Sequence, residues 1–292
     1  MMKNRSVKQI MYAQEVTMGE MPVRQPFPTQ SVDQINPFLL LHHHKTTIEG
    51  GSHPRNMGVS PHPHRGFSPV TFIIEGDVHH RDSRGNSSVV EAGGVQWLNA
   101  GMGINHSERP SKKLAENGGV QEIIQLWVNT PQINKMDQPL YQAFSKEALP
   151  IVSGEDGLSE VKVVTGEFNN VKGPVISFSP MLILWGEVKS NGKVKIDIPT
   201  DYNASVYFIK GKAHVKNFGV IDDLNLMYFE NDGDQITIYA KEENIQFLLI
   251  AGKPINEPVV SHGPFVMNTQ TEIMTAMRDF QLGKMGVLIE EF

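Results

Sequence analysis

Four residues of this 292-residue chain have the types and spacing of ligands to one metal ion. His62 and His64 are separated by a proline, and a proline biases the residue before it towards extended structure. Alternate residues of a strand point to the same side, so both imidazoles should face one way. His106 and Glu108 repeat the spacing after a glycine-containing turn. The pattern predicts a site of three imidazoles and one carboxylate, with positions open for water or substrate.

The other histidines carry weaker signals. His42-His43-His44 could bind a metal as a tract, but consecutive residues of an extended chain point to alternating sides, so a loop or pocket rim is the expected place. His79 and His80 face opposite ways on a continuous strand, which favours a structural role. Arg65 follows the first ligand pair and could orient a carboxylate or an anionic substrate, or form an ordinary salt bridge.

Composition excludes several kinds of site. The chain has no cysteine, so it forms no disulfide, no thiolate-ligated metal site and no thiol nucleophile. A net charge of −6 argues against a large basic surface for nucleic acid. No apolar run approaches the roughly 18 to 20 residues that span a bilayer, and the N-terminus lacks the apolar core of a secretory signal. We expect a cytoplasmic protein with no membrane contact and no direct contact with nucleic acid.

The candidate ligands must be positioned by strands. Residues 70–74 and 123–128 are rich in β-branched and aromatic side chains, and the turn Glu75-Gly76-Asp77 closes the first of these runs, with both carboxylates expected in solvent. Trp97 and Trp127 lie in similar runs, where core packing is the default interpretation. Short strands with turns every 8 to 12 residues indicate a β-sandwich or barrel.

The second half of the chain is interpreted as a degenerate copy of the first. Residues 206–215 parallel residues 70–79, with a glycine turn after a β-rich run in both. Residues 129–157 contain several prolines and no sustained period, and we interpret them as the connection. This predicts an N-terminal domain at 1–135, which contains the four candidate ligands, and a C-terminal domain at 136–292.

One helix is expected near the C-terminus. Thr269 and Glu272 have the spacing of a capping box, and Ile273, Met277 and Phe280 follow at helical spacing. Gly283 stands where such a helix would end. We expect this helix to pack on the β core.

Several segments together closely resemble the pirin family of the cupin superfamily. The resemblance covers most of the chain and rests on these runs: His62-Pro63-His64-Arg65-Gly66-Phe67, His80-Arg81-Asp82-Ser83, Val95-Gln96-Trp97, Ala100-Gly101-Met102-Gly103-Ile104, His106-Ser107-Glu108, Gln125-Leu126-Trp127-Val128-Asn129, Asn256-Glu257-Pro258-Val259-Val260 and Gly263-Pro264-Phe265-Val266-Met267-Asn268.

This resemblance implies an all-β bicupin, in which two antiparallel jelly-roll-like β-barrels are followed by a short helix. The N-terminal barrel of such proteins binds one metal, usually iron, and the C-terminal barrel has lost its ligands. The family's ligands fall on His62, His64, His106 and Glu108. Ser68-Pro69 replaces the Glu-Thr that is common in the family after His-Arg-Gly-Phe. The resemblance implies that the carboxylate ligand comes from the second motif instead, where Glu108 stands.

The resemblance also implies an activity. Some pirins resemble quercetin dioxygenases, which open the flavonol heterocycle with O2 and release carbon monoxide. For this chain we expect one divalent metal, preferably Fe(II), with Mn, Cu, Ni or Zn as alternatives. Glu108 is expected to accept the proton of the flavonol hydroxyl. Two other functions stay open: a redox-responsive regulator acting through protein partners, and a cupin oxygenase with a different substrate.

Overall fold

The computed structural model describes residues 2–19 and 21–292, and strands dominate it. Three short 3-10 helices lie at Pro54–Asn56, Gln132–Asn134 and Lys146–Ala148. The α-helices are α1 (Lys112–Asn117) and α2 (Gln270–Gln281). The strands are β1 (Val7–Tyr12), β2 (Gln14–Met18), β3 (Met21–Phe27), β4 (Phe38–Ile48), β5 (Val59–His64), β6 (Phe67–Glu75), β7 (Asp77–Asp82), β8 (Ser87–Glu91), β9 (Val95–Asn99), β10 (Ile104–Arg109), β11 (Gly119–Asn129), β12 (Leu140–Phe144), β13 (Ile151–Ser153), β14 (Ser159–Thr165), β15 (Glu167–Phe168), β16 (Val171–Lys172), β17 (Met181–Val188), β18 (Lys193–Asp197), β19 (Asn203–Lys210), β20 (Ala213–Val215), β21 (Gly219–Ile221), β22 (Asn225–Phe229), β23 (Gln235–Tyr239), β24 (Ile245–Gly252), β25 (Val260–His262) and β26 (Phe265–Met267).

The predicted all-β bicupin fold is confirmed. Contacts divide the chain into two discontinuous units. The histidine unit comprises Leu40–Glu147 and Ile255–Phe292, and the second unit comprises Met1–Leu39 and Ala148–Pro254. Within the described residues, neither α-helix has the length and apolarity to span a membrane.

Besides the two-stranded pair β25-β26, the histidine unit contains a larger and a smaller sheet. The larger has the strand order β12-β9-β6-β11-β4, and the smaller has the order β5-β10-β7-β8. Ladders such as β6 with β11 and β5 with β10 are antiparallel. Strand β6 lies between two neighbours, and its residues from Phe67 to Ile73 are all buried. Apolar and β-branched side chains in this central strand therefore form much of the interior.

Besides the two-stranded pair β15-β16, the second unit also contains a larger and a smaller sheet. Its larger sheet has the order β1-β22-β19-β24-β17-β14-β13, and its smaller sheet has the order β18-β23-β20-β21. An apolar cluster that includes Val163, Leu184, Val206 and Leu249 fills its interior. The unit repeats one local detail of the histidine unit, because Gly211 connects β19 to β20 with φ +80° and Gly76 connects β6 to β7 with φ +77°. Glycine adopts this left-handed conformation without steric cost.

The units do not follow the continuous division at 135 and 136. Strand β1 pairs with β22, so the N-terminal segment completes the second unit. Strand β12 pairs with β9, so the histidine unit extends to Glu147. The last 38 residues return to the histidine unit and supply β25, β26 and α2. These pairings join residues far apart in the chain, and local composition carries no sign of them.

The predicted C-terminal helix is confirmed as α2. Thr269 and Glu272 form the expected capping box, and the helix ends at Gln281, two residues before Gly283. Its buried residues are Ile273, Ala276 and Asp279, whereas Met277 and Phe280 are each 38% exposed. The predicted apolar spacing therefore identified the helix but only part of its buried side.

Helix α1 was not predicted, and it explains one wrong expectation about the turn after β6. Ser111 caps α1 by accepting a hydrogen bond from the Leu114 backbone. The Asp77 carboxylate accepts hydrogen bonds from the Ser111 amide at 2.7 Å and from the Ser111 hydroxyl at 2.6 Å. Asp77 is therefore buried instead of solvated, and only Glu75 of this turn is exposed.

Candidate metal centre

Strands β5 and β10 bring three histidines together. Their antiparallel register sets His106 opposite His62 and Ile104 opposite His64. His62 and His64 alternate along β5 as the sequence predicts, so their rings lie on one side of the small sheet. The ring of His106 lies 4.3 Å from that of His62 and 4.9 Å from that of His64, measured between centroids. Three of the four predicted ligands, His62, His64 and His106, therefore lie next to one another.

The nitrogen atoms of these rings converge. One ring nitrogen from each histidine lies within 4.8 Å of the other two. The Nε2 atoms of His62 and His64 are 3.1 Å apart. His64 and His106 are 3% and 1% exposed, whereas His62 is only partly buried. The cluster is thus closed to solvent at His64 and His106 and is open to solvent beside His62.

Hydrogen bonds and burial leave the rings ready to act as ligands. His62 Nδ1 lies 2.8 Å from the Ser60 carbonyl, so it carries the proton and leaves Nε2 with a free lone pair. His106 Nε2 is buried and has no hydrogen-bond partner among the described residues. Burial, followed by the neighbouring histidines, lowers the pKa of His64 and of His106 well below the usual value.

These features fit a divalent transition metal. Metals bind the neutral imidazole, and burial keeps the rings neutral. An orphaned nitrogen in a buried site is costly, and a metal bound to His106 Nε2 would satisfy it. Three imidazoles suit iron, manganese, copper, nickel or zinc and leave coordination positions free. The residues present therefore fit the metal that the sequence suggested, without selecting among these ions.

Glu108 lies near this cluster but is not one of the three converging residues. Its carboxylate accepts three hydrogen bonds from the larger sheet: from Thr71 Oγ1 at 3.0 Å, from Gln96 Nε2 at 2.5 Å and from Gln125 Nε2 at 2.9 Å. Glu108 is 7% exposed. Its charge favours protonation of His62 and partly opposes the effect of burial there. An ionised carboxylate accepts hydrogen bonds only, so three donors suit its charged form.

Two aromatic residues fix the direction of the glutamine amides. Trp127 Nε1 donates to Gln125 Oε1 at 3.2 Å, and the Tyr141 hydroxyl donates to Gln96 Oε1 at 3.2 Å. Each glutamine oxygen is thereby engaged, and each NH2 group points to Glu108. The carboxylate is held by a network in which every amide has one orientation.

The sequence analysis missed these supporting residues. Gln96 lies within the apolar run at 95–98, and Gln125 lies within the apolar run at 123–128. A polar residue inside such a run is a signal for a hydrogen bond in the interior. Trp97 is buried as expected. Trp127 was expected in the core, but it is partly exposed and contacts the His64 ring edge-on at 5.6 Å. It therefore belongs to the surroundings of the site.

His80, to which the sequence analysis gave a structural role, contacts the cluster. Strand β7 pairs with β10 and sets His80 opposite Glu108 and Asp82 opposite His106. His80 Nδ1 lies 3.3 Å from His106 Nδ1, and His80 Nε2 lies 3.0 Å from Asp82 Oδ2. His79 points to the other side and contacts Ser87.

Arg65 forms a salt bridge instead of orienting a carboxylate of the site. Its guanidinium is 3.1 Å from Asp279 in α2, and its Nε donates to the Met102 carbonyl at 2.7 Å. This contact attaches α2 to the residue that follows His64.

The histidine tract at 42–44 is not a loop or pocket rim. All three residues lie within β4 and are buried. His43 Nε2 is 2.9 Å from Glu122, which also pairs with Lys45 at 2.6 Å. The expectation of a loop or pocket rim was wrong. Glu122 on β11 is a polar partner for His43, and such a partner allows a polar side chain to be buried in the sheet.

The chain is similar to known proteins over most of its length. The Pirin family model matches residues 20–128, and the model for the Pirin C-terminal cupin domain matches residues 184–286. The chain belongs to the pirin family. Pirin-1 of Arabidopsis thaliana is 37% identical over 262 residues, which cover 87% of this chain and 86% of that protein. Pirin of Homo sapiens is 34% identical over 268 residues, which cover 90% of this chain and 88% of the human protein.

One similar solved structure is that of a protein named as an enzyme. The crystal structure of a quercetin 2,3-dioxygenase from Acinetobacter baumannii matches with a TM-score of 0.91 and 32% identity, over 98% of this chain and 100% of that one. The fold of this chain is thus shared with a protein named quercetin 2,3-dioxygenase.

Proposed function

We propose that this chain is a metal-dependent dioxygenase that opens the ring of a flavonol such as quercetin with O2. The observation that carries the proposal is the convergence of three neutral histidine rings beside a carboxylate with three hydrogen-bond donors. The similar fold of the A. baumannii protein named quercetin 2,3-dioxygenase supports the substrate class. Fe(II) is the metal we expect on His62, His64 and His106, with Glu108 as the fourth ligand.

Each group of the site has a separate task in this proposal. A bound divalent metal supplies a Lewis acid that lowers the pKa of the flavonol 3-hydroxyl. Glu108 accepts the hydroxyl proton, and Gln96 and Gln125 hold its carboxylate in place. His62 marks the open side, where a planar substrate can approach. Trp127 offers an aromatic surface beside His64 for that substrate.

The test is oxygen consumption by anaerobically iron-loaded protein after addition of quercetin. The parent protein should consume oxygen, whereas the His106→Ala variant should bind little iron and consume none. His79→Ala is the matched control, because His79 lies on the same small sheet but points away from the cluster. The other candidate metals are loaded separately in the same assay.

A second variant tests the proton acceptor. Glu108→Gln keeps the side-chain shape but removes the charge, so turnover should fall by roughly 10²- to 10⁴-fold while the fold is retained. Full activity in this variant would overturn the role of Glu108. No oxygen uptake by a parent protein with one iron per chain would overturn the flavonol oxygenase proposal. The metal would then be better explained by a redox-responsive regulatory role or by another substrate.

A further inference from the structure

The side of β10 that faces away from the candidate metal centre carries a buried arginine. Side chains alternate along a strand, so Arg109 points to the opposite side from Glu108. Arg109 is 4% exposed. Its Nε and Nη2 atoms donate to the two carboxylate oxygens of Glu290 at 2.6 and 2.8 Å, and its Nη1 donates to the carbonyls of Arg55 at 2.8 Å and Met57 at 2.6 Å. The guanidinium thus joins β10 to two other segments of the histidine unit.

Arg55 and Met57 lie just before β5, the strand that carries His62 and His64. Strand β5 lies at the edge of the small sheet, next to β10. Two of its six residues are prolines, which have no amide hydrogen to donate to the ladder. The strand with two of the three converging histidines is therefore held by fewer backbone hydrogen bonds than a strand without proline.

The ladder between β5 and β10 also contains an irregularity beside two candidate ligands. His106 pairs with His62, but Glu108 pairs with Val59. Two residues of β5 therefore lie opposite one residue of β10, which is the count of a β-bulge. An extra residue disrupts the ladder locally, so contacts from outside the ladder have more influence on the position of the His62 ring.

Arg109 supplies such contacts at the turn before β5. Gly58 lies so close to β10 that a Cβ atom there would be 2.5 Å from the Glu108 carbonyl oxygen and 2.9 Å from the Arg109 Cα atom. Its φ of +66° also favours glycine. The backbone before β5 is thus packed against β10, and Arg109 holds two of its carbonyls there.

Glu290 in turn fixes Arg109. The Glu290 side chain is 8% exposed, and its two hydrogen bonds with Arg109 form a bidentate pair with one orientation. Phe292 lies on the same surface, 4.8 Å from the Arg81 guanidinium and 5.1 Å from the His53 ring. The chain around Glu290 is therefore held on the outer side of the small sheet.

A second ion pair acts at the other end of β5. Arg65 directly follows His64, and its guanidinium pairs with Asp279 in α2. Asp279 and Glu290 both belong to Ile255–Phe292, the second segment of the histidine unit. One segment therefore supplies an ionic contact near each end of the strand that carries His62 and His64.

We propose that Arg109 and Glu290 are positioning residues of the metal centre, which hold β5 in the alignment that sets His62 opposite His106. Arg109 holds the turn before β5, and Glu290 acts through Arg109. Neither residue touches metal or substrate. The inference rests on the metal site of the proposed function, but it does not depend on O2 chemistry.

The Glu290→Gln variant removes the charge that fixes Arg109 with little change in shape. Cobalt(II) affinity, measured by competition with a chelator, should fall roughly 10-fold, the lower end of the loss for residues that support metal ligands. The visible absorption bands of bound cobalt should shift because the ring positions change. In metal-free protein, hydrogen exchange measured by mass spectrometry should become faster at residues 57–64.

Glu122→Gln is the matched control. Glu122 pairs with Lys45 and His43 on the larger sheet, so the same chemical change breaks ionic contacts of the same unit away from β5. This variant should lower the free energy of unfolding, whereas its cobalt affinity, cobalt spectrum and exchange at residues 57–64 should match the parent. The comparison separates positioning of the ligands from a general loss of stability.

Arg109→Lys tests the route from Glu290 to the metal centre. A single ammonium group does not reproduce the fork that contacts Glu290 and both carbonyls. Cobalt affinity should fall at least as far as in Glu290→Gln, and the double variant should fall no further than Arg109→Lys alone. Additive losses would overturn the action through Arg109.

The other outcomes are equally decisive. Parent affinity in Glu290→Gln, or an equal loss in Glu122→Gln, overturns the positioning role. A parent protein that binds no cobalt overturns the metal site, and the positioning role with it. Neither readout uses substrate or O2, so a failed oxygen-consumption assay has no bearing on this result.

Discussion

The buried ion pair between Arg65 and Asp279 predicts a large loss of stability when the carboxylate alone is removed. Arg65 is 3% exposed and Asp279 is 8% exposed. Removing one partner of a buried pair leaves a charge without compensation and costs about 3–5 kcal/mol. Asp279 also lies in the last turn of α2, where a negative charge opposes the helix dipole by about 0.3–1 kcal/mol. The Asp279→Ala variant should therefore lose about 2–4 kcal/mol.

The control for this prediction is the other partner of Asp279. Lys284 contacts the same carboxylate at 2.8 Å, but its side chain is 57% exposed. Exposed ion pairs contribute about 0–1 kcal/mol, so Lys284→Ala should lose no more than that. The double variant Arg65→Met with Asp279→Leu removes both charges. It should recover part of the stability that Asp279→Ala loses.

Urea denaturation of the metal-free protein, followed by tryptophan fluorescence, measures these differences. The Lys284 contact, opposed by burial and aided by Arg65, lowers the pKa of Asp279. Its stabilising contribution is therefore present above the ordinary aspartate pKa and is lost as the pH falls through the lower value of the folded state. The gap between parent and Asp279→Ala should narrow in acid. If Asp279→Ala and Lys284→Ala differ by less than about 1 kcal/mol at pH 7, the reasoning about the buried pair is refuted.

Two further predictions concern elements outside the cluster. Burial opposes ionisation of Glu122, but hydrogen bonds from His43 and Lys45 outweigh it and lower its pKa from 4.5 to about 2. The stability that Glu122 supplies above its ordinary pKa of 4.5 should therefore be lost as the pH falls towards 2, by up to ~3 kcal/mol. In urea titrations the parent should be more stable than Glu122→Gln at pH 7, and this difference should be smaller at pH 3. An unchanged difference would contradict the prediction. Thr269→Ala removes the capping box of α2 and should cost ~1 kcal/mol, or ~2–4 °C in melting temperature by calorimetry. The same change at the exposed Thr271 should have a smaller effect, and equal shifts would argue against the cap.

Local periodicity was sufficient to predict the three converging histidines. His62 and His64 share a side because strand side chains alternate, and His106 follows a turn that the glycines marked. The contact of His80 with His106 could not be predicted in this way, because it depends on the register between β7 and β10. The donors to Glu108 come from three strands of the facing sheet, and a sequence pattern carries no information about facing layers.

The discontinuous histidine unit has a consequence for biosynthesis. Its two segments are separated by the 107 residues Ala148–Pro254. At a synthesis rate of roughly 5–20 residues per second, about 5–20 s pass between the emergence of β12 and the first residues of the returning segment. During that interval Arg65 has no Asp279, and the Lys135 ammonium lacks the Val266 carbonyl, which it contacts at 3.0 Å in the complete unit. All four candidate ligands have therefore been synthesised before the segment Ile255–Phe292, which supplies the partners of Arg65 and Lys135.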